Sequence, residues 1–263
     1  MDPRLQDVSK IGLVRAGDRK GQAAFSGTFG STHPNRTLGF LTVEGAAQIK
    51  ASSGVRVGWI LQGRGRIPGR VGLLLPGDQI TVSPDRPLKV EGSFAWAWME
   101  DQNWMGEIPP PLQLLLSQPD TSGGCNVSPG AFRRLQITWN PRGVSPQNPD
   151  GQNRLNAHVV NIEARFSNTH FHPDPPDGGG DPQEEFYFVL DRAPYGIPAG
   201  GDPSVIVFPD LDDLSRFDKI PLQPGDVAYF PPRTGHRGLD VFVNVVALPG
   251  FKPKNEVLLD RRI

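Results

Sequence analysis

The stretch from His170 to His236 constrains this chain more than any other. It opens with His170-Phe171-His172, continues through Glu184-Glu185-Phe186-Tyr187-Phe188-Val189-Leu190, turns at Pro224-Gly225-Asp226, and closes with Tyr229-Phe230-Pro231-Pro232 and His236. Histidines two apart on a strand point to one face, roughly 6.6 to 6.8 Å apart along the chain, so both imidazoles can converge on one ion. A carboxylate on the next strand and a third histidine after the turn complete a set of three nitrogens and one oxygen, with coordination positions open to substrate. The chain has five histidines, and three of them fall at these places.

The rest of the chain is built to match a strand-rich frame. Thirty-one Gly and 28 Pro, scattered so that few long segments are uninterrupted, suit short strands and turns and predict an all-β fold. With 263 residues the chain can form one large domain or two ordinary ones. A formal net charge of -1 argues against a nucleic-acid or anionic-membrane surface. The start, Met1-Asp2-Pro3-Arg4, lacks the apolar run of a signal peptide, and no segment of about 18 apolar residues occurs, so a soluble cytoplasmic protein is expected. Cys125 is a lone cysteine, which excludes an internal disulfide and a cysteine-based zinc site; it reads as a bystander thiol.

The order His-x-His, Glu, then Pro-Gly-Asp and a third His resembles the paired motifs of the cupin superfamily, small β-barrels that hold one divalent metal. The resemblance implies two cupin-type double-stranded β-helix (jelly-roll) barrels in one chain. It implies His170, His172, Glu185 and His236 as ligands of one divalent transition metal (Mn, Fe, Zn, Ni or Co). Glu185 is preferred to Glu184 because it stands directly before the aromatic strand Phe186 to Leu190. This sequence departs from the family pattern in placing twelve residues between His172 and Glu185, and in carrying Asp240 where Asn is frequent.

The first half repeats the second. A shift of 148 positions sets Pro76-Gly77-Asp78 on Pro224-Gly225-Asp226, Phe94 on Phe242 and Leu88 opposite His236; a shift of 129 sets Ile60-Leu61 on Val189-Leu190 and Arg56 on Glu185. An arginine and a leucine cannot coordinate a divalent cation, so the first barrel is expected to be metal-free. The expected organisation is an N-terminal arm (1–37), a degenerate barrel (38–100), a linker with a bridging strand (101–152) and a metal-binding barrel (153–263). Strands are expected at Leu38 to Val43, Val55 to Leu61, Gly72 to Leu75, Gln79 to Val82, Phe94 to Met99, Ala131 to Trp139 and His158 to Phe166. Phe94, Trp96 and Trp98 share one strand face and read as core. His33 reads as a surface residue and His158 as a structural one.

Around the metal, Tyr187 shares a strand face with Glu185, and Tyr229 lies one residue before Phe230, so both are candidate acid or hydrogen-bonding groups. Arg233 and Arg237 flank His236 and are candidates for holding a substrate carboxylate. The Asp/Pro/Gly-rich segment 173–183 is anchored by His172 and Glu185 near the mouth and reads either as a lid or as an insertion without a role. The expected partner is a small-molecule substrate, a carboxylate or sugar acid; a homodimer is left open. Residues 155 to 250 loosely resemble the C-terminal half of 5-deoxyglucuronate isomerase, which implies a metal-dependent sugar-acid isomerase. The donor set equally suits an Fe(II) dioxygenase, and a non-catalytic binding bicupin is the third reading.

Overall fold

The computed structural model describes residues 5–18, 36–102, 133–138, 156–164, 167, 169–173, 183–198, 200–248 and 257–260. His33, Cys125, most of the 101–152 linker, segment 174–182 and the side chain of His158 lie outside the described residues. The described residues form three antiparallel sheets and no α-helix.

In the first half, β2 (Arg36–Ile49), β3 (Val55–Arg66), β4 (Gln79–Val82) and β5 (Leu88–Asp101) make one sheet in the order β2-β5-β3-β4. Its long strands wrap a core of Val43, Ile60, Ile80, Val90, Phe94, Trp96 and Trp98. Gly72 to Leu75 is not a strand: within it only Leu74 bridges, to Gly65, because the segment is a turn with two glycines at positive φ, Gly69 and Gly72, on its path.

In the second half, β1 (Gly12–Val14), β12 (Val227–Phe230), β9 (Glu184–Val189), β14 (Val241–Leu248), β7 (Asn156–Ile162) and β6 (Arg133–Thr138) form a six-stranded sheet in that order. The facing sheet runs β11 (Asp218–Pro221), β10 (Ser204–Val207), β13 (His236–Leu239), β8 (Thr169–Phe171) and β15 (Val257–Asp260). β7 ends at Ile162, short of the expected Phe166. Between these two sheets lies a second interior, lined by Val160, Tyr187, Val189, Val205, Phe230, Val243 and Val245.

The outer face of the six-stranded sheet packs on the first half's sheet. Val57, Trp59, Leu61 and Met99 meet Phe186, Phe188, Tyr229 and Phe242 in a third core, with Trp59 and Phe188 ring centroids 5.1 Å apart. This explains why β9 and β12 show no polar alternation: both of their faces are buried, one in the barrel and one between the sheets.

The two halves repeat at atomic detail. Gly77 and Gly225 have φ of 92° and 93°, and each donates its N–H to the end of a neighbouring strand, Ile60 O at 2.7 Å and Val189 O at 2.8 Å. Ile60 N and Val189 N each return a bond of 2.9 Å, to Asp78 O and Asp226 O. Arg56 pairs with Val82 as Glu185 pairs with Phe230, so the 129 and 148 shifts hold in β3, β4 and the turn. They fail in β5: Trp96 opposes Ile60 as Val243 opposes Val189, which aligns Phe94 with Val241 rather than Phe242. The first half carries one more residue between Val82 and Trp96 than the second does between Phe230 and Val243, and one residue of slip turns a side chain to the other face. Phe94 accordingly faces its barrel interior, whereas Phe242 lies between the sheets.

Candidate metal centre

Four side chains converge at one end of the second barrel. β8 presents His170, and the chain leaving it presents His172; the intervening Phe171 turns to the outer face, against Ile206, Phe208 and Leu211. β9 presents Glu185, and β13 begins at His236, whose Cα is registered against that of His170. Exposure is 8% for His170, 3% for His172, 4% for Glu185 and 0% for His236. Ring centroids of His170 and His172 lie 6.2 and 6.3 Å from that of His236.

Glu185 ties the cluster together. Its Oε2 is 2.8 Å from His172 Nε2, and its Oε1 is 3.5 Å from His236 Nε2. Burial alone would push this carboxyl up, but the imidazoles of His236 and His172 beside it outweigh that and hold the group well below the usual carboxylate range. Glu185 is therefore an anion available to a cation at neutral pH.

The histidines are themselves oriented. His236 stacks on Phe230, centroids 4.1 Å apart and planes 6° apart, with Tyr187 edge-on at 5.5 Å. Its Nδ1 lies 3.1 Å from Thr234 O, so the ring donates there and its Nε2 carries the lone pair. That Nε2 is buried and has no hydrogen-bond partner, an arrangement that costs free energy unless something occupies it.

Among the described residues no group of three or more His, Cys, Asp or Glu has its donors spaced as around an ion. The reason is local: the Glu185 carboxylate bridges the imidazoles, and an entering ion would replace those contacts. The donor set itself, three neutral imidazoles and one carboxylate with an orphaned Nε2, fits a divalent transition metal.

Of the remaining candidates, the structure brings only Tyr187 to this interior. Tyr229 faces the other way. Phe230 opposes Glu185 and shares its face, so the preceding residue points between the sheets, where Tyr229 packs on Phe186 at 4.8 Å. Burial and the neighbouring Glu184 raise its hydroxyl pKa far above the ordinary value. Arg233 is exposed and holds a left-handed φ of 64° in the turn before His236. Arg237 follows His236 on the opposite strand face and gives its Nη2 to Ser167 O at 2.9 Å. A cavity of about 480 Å³ lies at the far end of the barrel, lined by Asn161, Arg192, Gly200 and Asp240, and is separate from the ligand cluster.

Two contributors escape sequence reading. Gln183, 4% exposed, places Nε2 3.1 Å from His172 Nδ1. Gln6, in the N-terminal arm, receives Gly235 N–H at 2.6 Å and donates to Arg233 O, clamping the turn that delivers His236. An amide 227 and 229 positions from its two partners, as Gln6 is from that turn, leaves no sequence signal.

No family model matches this chain, and no curated protein matches it in sequence. Solved structures do match in fold. An oxalate decarboxylase mutant from Bacillus subtilis superposes with a TM-score of 0.55 at 13% identity, over 98% of this chain and 82% of that one. Oxalate decarboxylase from the same organism at pH 4.6 gives 0.53 at 12%, over 98% and 80%. An oxalate decarboxylase studied for its substrate binding mode and reaction specificity gives 0.54 at 11%, over 98% and 82%.

Proposed function

With the two-barrel cupin fold as premise, we propose that the second barrel holds one divalent metal on His170, His172, Glu185 and His236 and acts on a small, oxygen-rich carboxylate. The observation that carries this reading is the buried, unpaired Nε2 of His236, held beside an ionised Glu185 by a ring whose other nitrogen is tied to Thr234 O. The fold's likeness to oxalate decarboxylases supports a small carboxylate as the substrate class.

When bound, the ion supplies a net charge near +1, which polarises a carbonyl or acidifies a bound water. The chain does the rest. His236 is kept rigid by Phe230, and Glu185 stays unprotonated at neutral pH. The aromatic rings of Tyr187 and Phe230, 4.9 Å apart, and the aliphatic lining exclude water. Arg233 is exposed and Arg237 is engaged with Ser167 O, so the charge of a substrate is assigned to the ligand cluster.

The sugar-acid isomerase reading is the finer form of the proposal. It requires a group that takes a proton from one carbon and returns it to the next, and Tyr187, on the Glu185 face and against His236, is the residue assigned that role. With Tyr229 on the other face, the role falls to Tyr187 among the described candidates. An Fe(II) dioxygenase would draw on the same ligands. The test is turnover of oxalate and of sugar acids by protein loaded in turn with Mn, Zn and Fe(II), with oxygen uptake recorded. Turnover without oxygen use supports the proposal, oxygen uptake with iron alone supports the dioxygenase, and tight metal binding without any turnover supports a binding protein.

A further inference from the structure

Gln183 stands where the Asp/Pro/Gly-rich segment enters β9, one residue before Glu184. It is 4% exposed, and its two amide atoms are in opposite situations. Nε2 lies 3.1 Å from His172 Nδ1, whereas Oε1 is buried with no hydrogen-bond partner. An amide nitrogen only donates, so His172 Nδ1 accepts, and the ring's one proton sits on Nε2, where it donates to Glu185 Oε2 at 2.8 Å. That tautomer cannot ligate through Nε2, because its lone pair has been replaced by N–H.

The ligating tautomer needs the reverse: Nδ1–H donating to an acceptor and Nε2 bare. The acceptor is already present. A half-turn of the Gln183 amide brings Oε1 to Nδ1, satisfies the orphaned oxygen and frees His172 Nε2 toward the cluster. His236 shows the finished arrangement, with Nδ1 committed to Thr234 O and Nε2 unpaired. The two imidazoles thus differ in one respect: one is oriented by a fixed carbonyl, the other by a side chain that can donate or accept.

We propose that Gln183 is a positioning residue that sets the His172 tautomer, holding the metal-free form with its NH₂ and the ligating form with its carbonyl. This rests on the metal-centre reading above. Outer groups that hold a ligating histidine typically contribute 10- to 100-fold in metal affinity. The experiment combines two measurements. The first is long-range ¹⁵N NMR of the His172 ring in metal-free protein. The second is Zn²⁺ affinity by chelator competition for wild type, Gln183→Leu and Gln183→Glu, with His236→Ala as control.

In the metal-free wild type, His172 Nδ1 should give a pyridine-type resonance. Gln183→Glu offers only acceptors and should convert it to pyrrole-type. Gln183→Leu should weaken Zn²⁺ about 10- to 100-fold. A pyrrole-type Nδ1 in the metal-free wild type, or Zn²⁺ affinity in Gln183→Leu within twofold of wild type while His236→Ala loses the ion, overturns the proposal and leaves the metal centre standing. If His236→Ala binds Zn²⁺ as well as wild type, the metal-centre reading fails instead, and with it the ligating half of the role of Gln183.

Discussion

Arg56 occupies in the first barrel the position that Glu185 occupies in the second. Arg56 opposes Val82 and Glu100 across its sheet, as Glu185 opposes Phe230 and Ala247. Its Nε lies 2.7 Å from Glu100 Oε2, and its guanidinium carbon 5.2 Å from the ring centre of Trp98, which stacks on Trp96 at 4.6 Å. Gly58 stands in the place of Tyr187, and a Cβ there would come within 2.6 Å of Trp98 Cβ. An ion pair and a pair of indoles thus fill the place where the second barrel gathers Glu185 and its histidines.

Arg56→Ala should therefore leave metal content unchanged and lower stability. It strands Glu100, which is 4% exposed and otherwise held by Gly54 N–H and Ser53. Breaking a largely buried pair costs about 3 kcal/mol, near the low end of the usual range since Arg56 is partly solvated. Urea unfolding with metal analysis checks this. Equal metal loss on changing Arg56 would contradict the alignment of the halves.

Gln6→Ala should loosen the turn from Arg233 to Gly235 by removing two hydrogen bonds, about 1–2 kcal/mol together. Because that turn delivers His236, metal dissociation should quicken. Stopped-flow release to a chelator reads the effect; an unchanged rate with normal metal content would show that the turn holds itself.

Two tyrosines are shielded from titration. Tyr195 donates to Pro76 O at 2.6 Å, and burial and then Asp78 raise its pKa; Tyr229 is raised by burial and Glu184. A folded pKa above the unfolded value of about 10 contributes stability that is present below pH 10 and lost as pH rises through the folded value. Tyr195→Phe and Tyr229→Phe should leave the native tyrosinate absorbance between pH 8 and pH 11 unchanged and remove signal only from the alkaline unfolding step. A smaller native signal in either variant would place that hydroxyl in water.

Much of this architecture was legible in the sequence, and what was not has identifiable causes. The Pro-Gly-Asp turns and the positions of the histidines were readable because a turn at positive φ and an i, i+2 pair leave fixed signatures. The facing of Tyr229 is not legible in the sequence because β12 is buried on both faces, so no polar alternation marks which side meets the barrel interior. Its facing follows from the register of Phe230 with Glu185, which is a tertiary fact. Proximity of Arg233 to His236 along the chain does not reveal the left-handed turn it occupies. The slip in β5 arises from one additional residue between strands, which a constant shift cannot detect.

If the proposed proton transfer runs through Tyr187, Tyr187→Phe should keep the metal and reduce turnover by about 10²- to 10⁴-fold, the usual contribution of an acid–base group, since the ring packing against His236 and Phe230 survives. Single-turnover kinetics on metal-matched samples check it. Undiminished turnover would remove Tyr187 from the chemistry and favour a reaction that needs no proton transfer from the protein.

The central claim is one metal per chain on a second-barrel cluster that includes His172, and elemental analysis of purified wild type and His172→Ala tests it most directly. The account predicts about one divalent ion per chain in the wild type and essentially none in the variant. Two ions per wild-type chain, or an ion retained in full by His172→Ala, would contradict it.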